Sequence, residues 1–107
     1  MIDSASVQPV FRALADPTRR EIISMLAGGA RPIGDIAGAF DVTRPAIAKH
    51  LRILEEGGLI SVEVKGRERI NRLNPHALKT AADWLNYFDR FWDDHLEKLK
   101  QAVEGKK

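Results

Sequence analysis

The segment from residue 42 to residue 60 constrains the fold most, because it encodes one short helix with a defined start, a defined end and two unlike faces. Thr43 is a suitable N-cap, Pro45 is tolerated in a first turn whose N–H groups have no helical partner, and Gly57-Gly58 favour a left-handed stop. One face of this helix repeats apolar side chains with helical spacing, at Ile47, Leu51 and Leu54. That face must pack on a core, which leaves the opposite face for solvent or a partner.

A second helix is predicted directly upstream, over residues 31–40, with its apolar side chains on one side. Only Asp41 and Val42 separate it from the N-cap residue of the next helix. Two short helices joined so closely outline a helix-turn-helix over about residues 33–57. Asp tolerates left-handed backbone better than most residues, so we expect Asp41 to be compatible with the turn of this motif.

A β-hairpin is predicted immediately after the glycine stop. Apolar and polar side chains alternate between residues 60 and 65, which is the pattern of a half-buried strand. Gly66 suits a tight turn, and residues 68–73 form the return strand. A basic hairpin in this position is a wing, at about residues 60–73. The predicted fold class is therefore mainly α with a small β-hairpin, a winged helix-turn-helix.

The distribution of charge matters more than the total, because a net charge of +2 is too small to indicate a nucleic-acid partner. Residues 43–73 carry 7 basic and 4 acidic side chains, a local excess of +3 on the predicted helix and wing. This coincidence favours DNA contact over a merely solvated surface. The candidate contacts with double-stranded DNA are Thr43, Arg44, Pro45, Ala46, Lys49, His50, Arg52, Lys65, Arg67 and Arg69.

The helix and the wing are expected to contact DNA differently. The helix would enter the major groove, with Arg44 and Lys49 reaching bases or backbone and Ala46 allowing close apolar approach. Arg67, beside the predicted turn, would touch phosphate. His50 flanks the outward face of the helix and is open to two interpretations, a contact at the groove edge or a packing residue.

The remaining segments are predicted to be helical, at residues 6–14, at residues 16–27 and in one long terminal helix over about residues 75–103. Asp16 and Asn74, each followed by proline, are the expected N-caps of the second and third of these helices. The apolar stripe of the terminal helix is wider than a single-sided surface helix needs, and a second subunit is the simplest cover. The whole chain, residues 1–107, is expected to form one dimeric domain. The residues expected at the homodimer interface are Val7, Val10, Phe11, Leu85, Phe88, Trp92, Leu96 and Leu99.

Two motifs resemble the ArsR-type winged helix-turn-helix regulators, in particular the branch that lacks metal-binding cysteines. Residues 11–20, Phe-Arg-Ala-Leu-Ala-Asp-Pro-Thr-Arg-Arg, are similar to the entry segment of that family, and residues 44–51, Arg-Pro-Ala-Ile-Ala-Lys-His-Leu, to its recognition helix. The hairpin follows at the expected distance. The resemblance implies a small homodimeric transcriptional repressor that binds an inverted-repeat operator.

Composition excludes several classes of chemistry. The chain has no cysteine, which rules out disulfides, thiol catalysis and thiolate metal sites. Ser24 and Ser61 have no placed histidine partner, so no catalytic residue and no cofactor are predicted. The sequence has neither an apolar run long enough to cross a membrane nor a signal-peptide pattern at its start, so no membrane partner and a cytoplasmic location are expected.

Two alternatives to a DNA-binding repressor remain open at this point. The same fold can serve as a protein-interaction module that never touches DNA. A metal-responsive repressor is the second, because His95 follows Asp93 and Asp94 near the end of the chain. Further histidines or glutamates at set spacing are missing there, so no metal ligand is assigned and a structural or surface role for His95 is favoured.

Overall fold

The computed structural model describes residues 4–105, which form helices and a small three-stranded antiparallel sheet. The helices and strands occur in the order α1 Ser4–Leu14, α2 Pro17–Ala27, β1 Arg31–Pro32, α3 Ile33–Ala37, α4 Arg44–Glu56, β2 Ile60–Lys65, β3 Glu68–Leu73, α5 Pro75–Asn86 and α6 Asp89–Glu104. The predicted fold class, a mainly helical winged helix-turn-helix, is confirmed. No helix within the described range is long and apolar enough to cross a membrane.

The predicted helix starts are confirmed by side-chain hydrogen bonds. The Asp16 carboxylate accepts from the backbone N–H of Arg19 at 3.1 Å at the start of α2. The Thr43 hydroxyl accepts from the Ala46 N–H at 3.3 Å at the start of α4. The side chain of Asn74 starts α5 in the same way. Each cap satisfies an N–H group that has no partner inside its own helix.

The core lies where the five helices α1, α2, α3, α4 and α5 meet the base of the sheet. The predicted stripe of α4 is buried, and the largest fully buried side chains are Ile22, Ile36, Ile47, Leu54 and Leu59. The stop after α4 is tightly packed, because a Cβ added at Gly57 would lie 2.8 Å from the carbonyl oxygen of Pro9 in α1. Gly58 follows with a φ of 75°, the left-handed stop that the sequence predicts.

The helix predicted over residues 31–40 is shorter in the structure, where α3 spans only Ile33–Ala37. Arg31 and Pro32 form a short strand that pairs antiparallel with β3, opposite Asn71 and Ile70 respectively, so the sheet has the order β1-β3-β2. Buried Asn71 holds this strand, since its Nδ2 donates to the carbonyl of Arg31 at 3.3 Å. A residue that precedes proline avoids helical backbone, which explains why α3 starts only at Ile33.

The helix-turn-helix forms with Asp41 in its turn, as expected, and the turn does not use left-handed backbone. Positive φ within residues 4–105 occurs only at glycines, so Asp41 adopts ordinary right-handed or extended backbone. The six residues between α3 and α4 instead continue with turns, and the N–H groups of Ala39 and Phe40 bond to carbonyls of α3. The connection therefore needs no residue with special backbone freedom.

The single terminal helix predicted over residues 75–103 is interrupted at Tyr87 and Phe88. The N–H of Phe88 bonds to the carbonyl of Leu85, three residues earlier, instead of four, and its ψ is close to 0°. This tighter turn separates α5 from α6. The ring of Phe88 lies 4.9 Å from that of Trp84 and 5.0 Å from that of Tyr87, so an aromatic cluster occupies the break.

Helix α6 gives the molecule its elongated shape. The molecule measures 68 × 31 × 20 Å, with a radius of gyration of 18.9 Å, against about 13 Å for a compact chain of this length. Every side chain of α6 is exposed, although its apolar residues fall on one side. The terminal helix thus carries an apolar face that its own chain leaves uncovered.

Candidate nucleic-acid interface

Helix α4 separates its core-facing and outward-facing side chains as the sequence predicts. Its stripe of Ile47, Leu51 and Leu54 is buried. The side chains on the outward side, Arg44, Pro45, Lys49 and Arg52, are exposed, and Ala46 is half-buried. The Thr43 hydroxyl oxygen accepts the capping hydrogen bond from the Ala46 N–H, and its own O–H remains able to donate to a phosphate. The helix therefore offers a mixed small and basic surface over most of its length.

The strand register of the wing divides its basic residues between two faces. Lys65 pairs with Glu68, and Arg69 pairs with Val64. Because successive residues of a strand point to opposite faces, Lys65 and Arg69 project from opposite sides of the hairpin. Lys65 lies 4.0 Å from the Glu63 carboxylate, which is also 3.7 Å from Arg72. The positive charge of Lys65 is thus partly offset, whereas Arg69 faces α4.

One cleft of about 290 Å³ collects arginines from both predicted DNA-binding elements. Arg44 at the start of α4 lines it together with Arg67 and Arg69 of the wing. Asp35 and Glu68 also line the cleft, which leaves one net positive charge among these groups. Residues separated by more than 20 positions in sequence are therefore brought to one concave surface suited to an anionic backbone.

A second cleft, of about 280 Å³, lies between α4 and the inner face of the wing. Arg52 and Glu55 of α4 face Arg69 of β3 across it, and its lining includes Leu51 and Val62. Arg69 thus borders both clefts and connects the two arginine positions of α4. The sequence identified these arginines separately, and the structure adds their grouping.

The structure places His50 among groups of its own chain. Nη1 of Arg19 donates to Nδ1 of His50 at 3.3 Å, and the Asp16 carboxylate lies 4.0 Å from the same nitrogen. Only 23% of the His50 side chain is exposed. Of the two interpretations left open by the sequence, these contacts favour the packing residue.

The pKa of Asp16 reflects this crowded environment. Partial burial alone would raise the pKa of Asp16, but hydrogen bonds from the backbone N–H groups of Arg19 and Thr18, together with the charges of His50 and Arg19, outweigh burial. The pKa of Asp16 therefore lies below its usual value. Asp16 is charged at neutral pH and links the start of α2 to α4.

Two arginines that the sequence analysis missed close the end of α1. Nε of Arg19 donates to the carbonyl of Ala13 at 2.7 Å, and Nη2 of the same residue donates to the carbonyl of Arg12 at 3.1 Å. Arg20 donates to the carbonyl of Leu14 at 2.7 Å. The last carbonyls of a helix need such donors. The signal was present in the sequence, as two adjacent arginines in the helix that directly follows α1.

The expected dimer surface is exposed in part only. Leu85, Phe88, Trp92, Leu96 and Leu99 are all exposed, and 61% of Trp92 is open to solvent. Phe11 is half-buried, and its ring lies 5.5 Å from that of Trp84. Val7 and Val10 differ, because only 3% and 4% of their surface is exposed and both pack in the chain's own core. These two valines have little surface left for a partner, which corrects the expectation for them.

His95, weighed above as a metal ligand, stacks on the ring of Trp92 with 6.1 Å between centroids. Across residues 4–105, no three His, Cys, Asp or Glu side chains are grouped so that they could hold a metal ion. His95 is therefore part of the aromatic side of α6 in this chain.

Comparison with known proteins shows which proteins this chain is similar to. A family model described as a helix-turn-helix domain matches residues 14–63. The chain is 39% identical over 87 residues to the transcriptional repressor SdpR of Bacillus subtilis (strain 168), a match that covers 81% of this chain and 97% of that protein.

Solved structures agree with the sequence matches. An ArsR-like transcriptional regulator from Rhodococcus sp. RHA1 superposes with a TM-score of 0.75 at 36% identity, over 92% of each chain. A homodimeric winged helix-turn-helix DNA-binding domain from Mycobacterium bovis superposes with a TM-score of 0.66 at 27% identity, over 79% of this chain and 80% of that one. These matches span both the helix-turn-helix and most of the chain around it, and the chain belongs to the ArsR family of winged helix-turn-helix transcriptional regulators.

Proposed function

We propose that this protein is a homodimeric repressor of transcription that binds an inverted-repeat operator in double-stranded DNA. The cleft that joins Arg44 to Arg67 and Arg69 carries the proposal, because it makes one positive surface of the reading helix and the wing. The Bacillus relative is named a transcriptional repressor, and the Mycobacterium bovis structure is described as a homodimeric DNA-binding domain. Both descriptions support the same role here.

In the proposed complex, α4 of each subunit lies in the major groove. Arg44 and Lys49 reach base edges or phosphates, and the half-buried Ala46 allows close approach, including contact with a thymine methyl group. Arg67, exposed beside Gly66 at the hairpin tip, contacts phosphate next to the groove. Of the wing residues, Arg69 contributes more than Lys65, because Lys65 shares its face with Glu63.

A second copy of the chain is proposed to cover the apolar side of α5 and α6. A contiguous exposed apolar face marks an association site, and here it includes Leu85, Phe88, Trp92 and Leu96. Packing of two copies about a two-fold axis would bury the same residues on both. The two α4 helices would then lie on one face of the dimer, about one DNA turn (~34 Å) apart. Repression would follow from occupation of a promoter.

The proposed repressor would act in the cytoplasm, without a bound cofactor and without catalytic residues. Its relatives are regulators of transcription and not enzymes. Ser24, one of the two serines considered above as a nucleophile, donates its hydroxyl to the backbone carbonyl of Arg20 at 3.2 Å.

Selection from random DNA tests the proposal directly. Purified protein is mixed with a pool of random double-stranded fragments, and bound fragments are amplified over several rounds. We expect an inverted repeat with half-sites about one DNA turn apart. Sedimentation at micromolar concentration is expected to show twice the chain mass of 12.0 kDa. A single 12.0 kDa species, or no enriched sequence, would overturn the proposal.

A further inference from the structure

The contact between Arg19 and His50 joins three helices at one point. The guanidinium of Arg19, on α2, donates to the carbonyls of Arg12 and Ala13 at the end of α1. Its remaining terminal nitrogen donates to Nδ1 of His50, in the middle of α4, at 3.3 Å. Asp16 borders the same group. One side chain therefore holds the end of α1 and the face of α4 in a fixed relation.

The chemistry of this contact selects one of the two tautomers of a neutral imidazole. A guanidinium can only donate hydrogen bonds, so Nδ1 of His50 has to accept. In a neutral imidazole the proton then lies on Nε2. The Arg19 guanidinium is held by two further hydrogen bonds, which makes it a rigid support for His50. The planar fork of arginine places its donors on three separate nitrogens, one for each acceptor, whereas a lysine would offer all its donors from a single atom.

The end of α1 is also tied to the proposed dimer surface. Phe11, next to Arg12, packs its ring 5.5 Å from the ring of Trp84 on α5. Helix α1 therefore contacts α5 through Phe11 and α4 through the Arg19 bridge. In the proposed dimer, the angle between α4 and the pair α1 and α5 would determine how the two copies of α4 contact DNA.

We propose that the hydrogen bond from Arg19 to Nδ1 of His50 sets the orientation of α4 against α1 and α2, so that His50 is a positioning residue that affects DNA binding without touching DNA. This inference rests on the proposed function, in which α4 reads the operator. It reassigns His50, expected from the sequence at the DNA interface, to the support behind that interface.

Two near-isosteric substitutions of His50 distinguish positioning from direct contact. Asparagine places an acceptor near the position of Nδ1, whereas glutamine places its amide near the position of Nε2. We expect His50→Asn to bind the selected operator nearly as well as the wild type, and His50→Gln to lose about tenfold in affinity. The salt dependence of binding should not change in either variant, because no phosphate contact is removed. The opposite order of the two variants would overturn the proposal in favour of direct contact by Nε2.

Arg19 variants test the other half of the bridge. Arg19→Gln should weaken operator binding by about tenfold, and adding His50→Gln to it should cost little more, because both changes break one interaction. Urea unfolding of each variant reports any loss of stability, and affinities are compared per folded molecule. Fully additive effects of the two substitutions would contradict a shared contact.

A measurement without DNA separates failure of this inference from failure of the proposed function. Nitrogen-15 NMR of histidine in the free, full-length protein should show the Nε2–H form of neutral His50, and its Nδ1 signal should shift in Arg19→Gln. An Nδ1–H form, or an unchanged Nδ1 signal in the variant, would overturn the bridge even if operator binding is found. Absence of any DNA binding with the Nε2–H form present would overturn only the proposed function and the role of the bridge in it.

Discussion

Helices α4 and α6 are both amphipathic, yet the apolar face of α4 is buried within the chain and the apolar face of α6 is exposed. Leu54 of α4 is fully buried, and the α4 stripe is covered by α1, α2 and α3. On α6 the side chains with the same helical spacing, such as Trp92 and Leu96, remain exposed. The comparison shows that this chain covers the apolar face of α4 but leaves the apolar face of α6 uncovered. In the proposed repressor, a second copy of the chain would cover α6.

The largest expected effect comes from a charge on the exposed side of α6. Trp92→Asp should prevent dimer formation and lower the affinity for a two-half-site operator by about 100-fold or more, since each half-site alone binds weakly. The buried core around Leu54 should stay folded. Sedimentation and fluorescence anisotropy measure the two quantities. Gln101→Asp, on the polar side of the same helix, is the matched control. A dimeric Trp92→Asp protein would show that the exposed side of α6 is not the surface through which the chain associates.

Truncation of one leucine in each region sharpens the distinction. Leu54→Ala should lower the free energy of unfolding by about 2–5 kcal/mol, because it leaves a cavity in a closed core. Leu96→Ala should instead weaken the dimer, so that its effect on thermal stability depends on protein concentration. Unfolding curves at several protein concentrations measure both. A concentration-independent loss of equal size in the two variants would mean that α6 is covered by its own chain.

Replacement of Lys49 should separate binding from folding. Lys49→Ala is expected to weaken operator binding by about 1–3 kcal/mol if the side chain contacts a base. Its melting temperature should hardly change, because the side chain is exposed. Lys79→Ala, which removes an exposed lysine on α5, serves as the control for loss of one positive charge. A drop in melting temperature with unchanged operator affinity would mean that Lys49 contributes to folding and does not lie on a DNA-binding side of α4.

The wing should contribute affinity without sequence preference. Arg67→Ala is expected to weaken binding to all DNA sequences about equally and to reduce the salt dependence by about one counterion. Lys65→Ala should have a smaller effect, since Lys65 lies beside Glu63. Titrations across ionic strength measure both slopes. Equal slopes for wild type and Arg67→Ala would remove the hairpin tip from the interface.

The smallest expected effect is a pH-dependent one at Asp16. Because the pKa of Asp16 is lowered in the folded chain, its charge stabilises the fold above the unfolded pKa of about 3.9, and that contribution is lost as the pH falls through the folded value. Asp16→Asn keeps the helix cap but removes the charge. Its free energy of unfolding should be about 0.3–1 kcal/mol lower than that of the wild type at pH 7. Urea unfolding should show this difference shrinking below about pH 4; a constant difference down to pH 2 would contradict it.

Local signals predicted much of this structure. The caps at Asp16, Thr43 and Asn74, the buried side of α4 and the two hairpin strands follow from residues close together in sequence, and the structure confirms them. Helix capping and side-chain periodicity depend mainly on neighbouring residues, which is why a sequence reports them well.

Features that depend on distant partners were predicted less well. Strand β1 consists of two residues and forms only because β3, some 40 positions later, offers a pairing edge and the amide of Asn71. The break at Phe88 depends on rings that pack around one turn of helix. For His50, helical periodicity predicted the direction of the side chain. Its hydrogen-bond donor, Arg19, lies 31 positions away and could not be predicted in this way.

The alternation of side chains along β3 makes the length of this strand an electrostatic constraint. Arg69 borders both clefts, while its neighbour Glu68 is paired with Lys65 on the other face of the hairpin. An insertion of one residue between Arg69 and Asn71 would turn the outer part of the strand over. The guanidinium of Arg69 would then leave the face of the wing that lies towards α4, so a change in spacing alone would remove the arginine that the two clefts share.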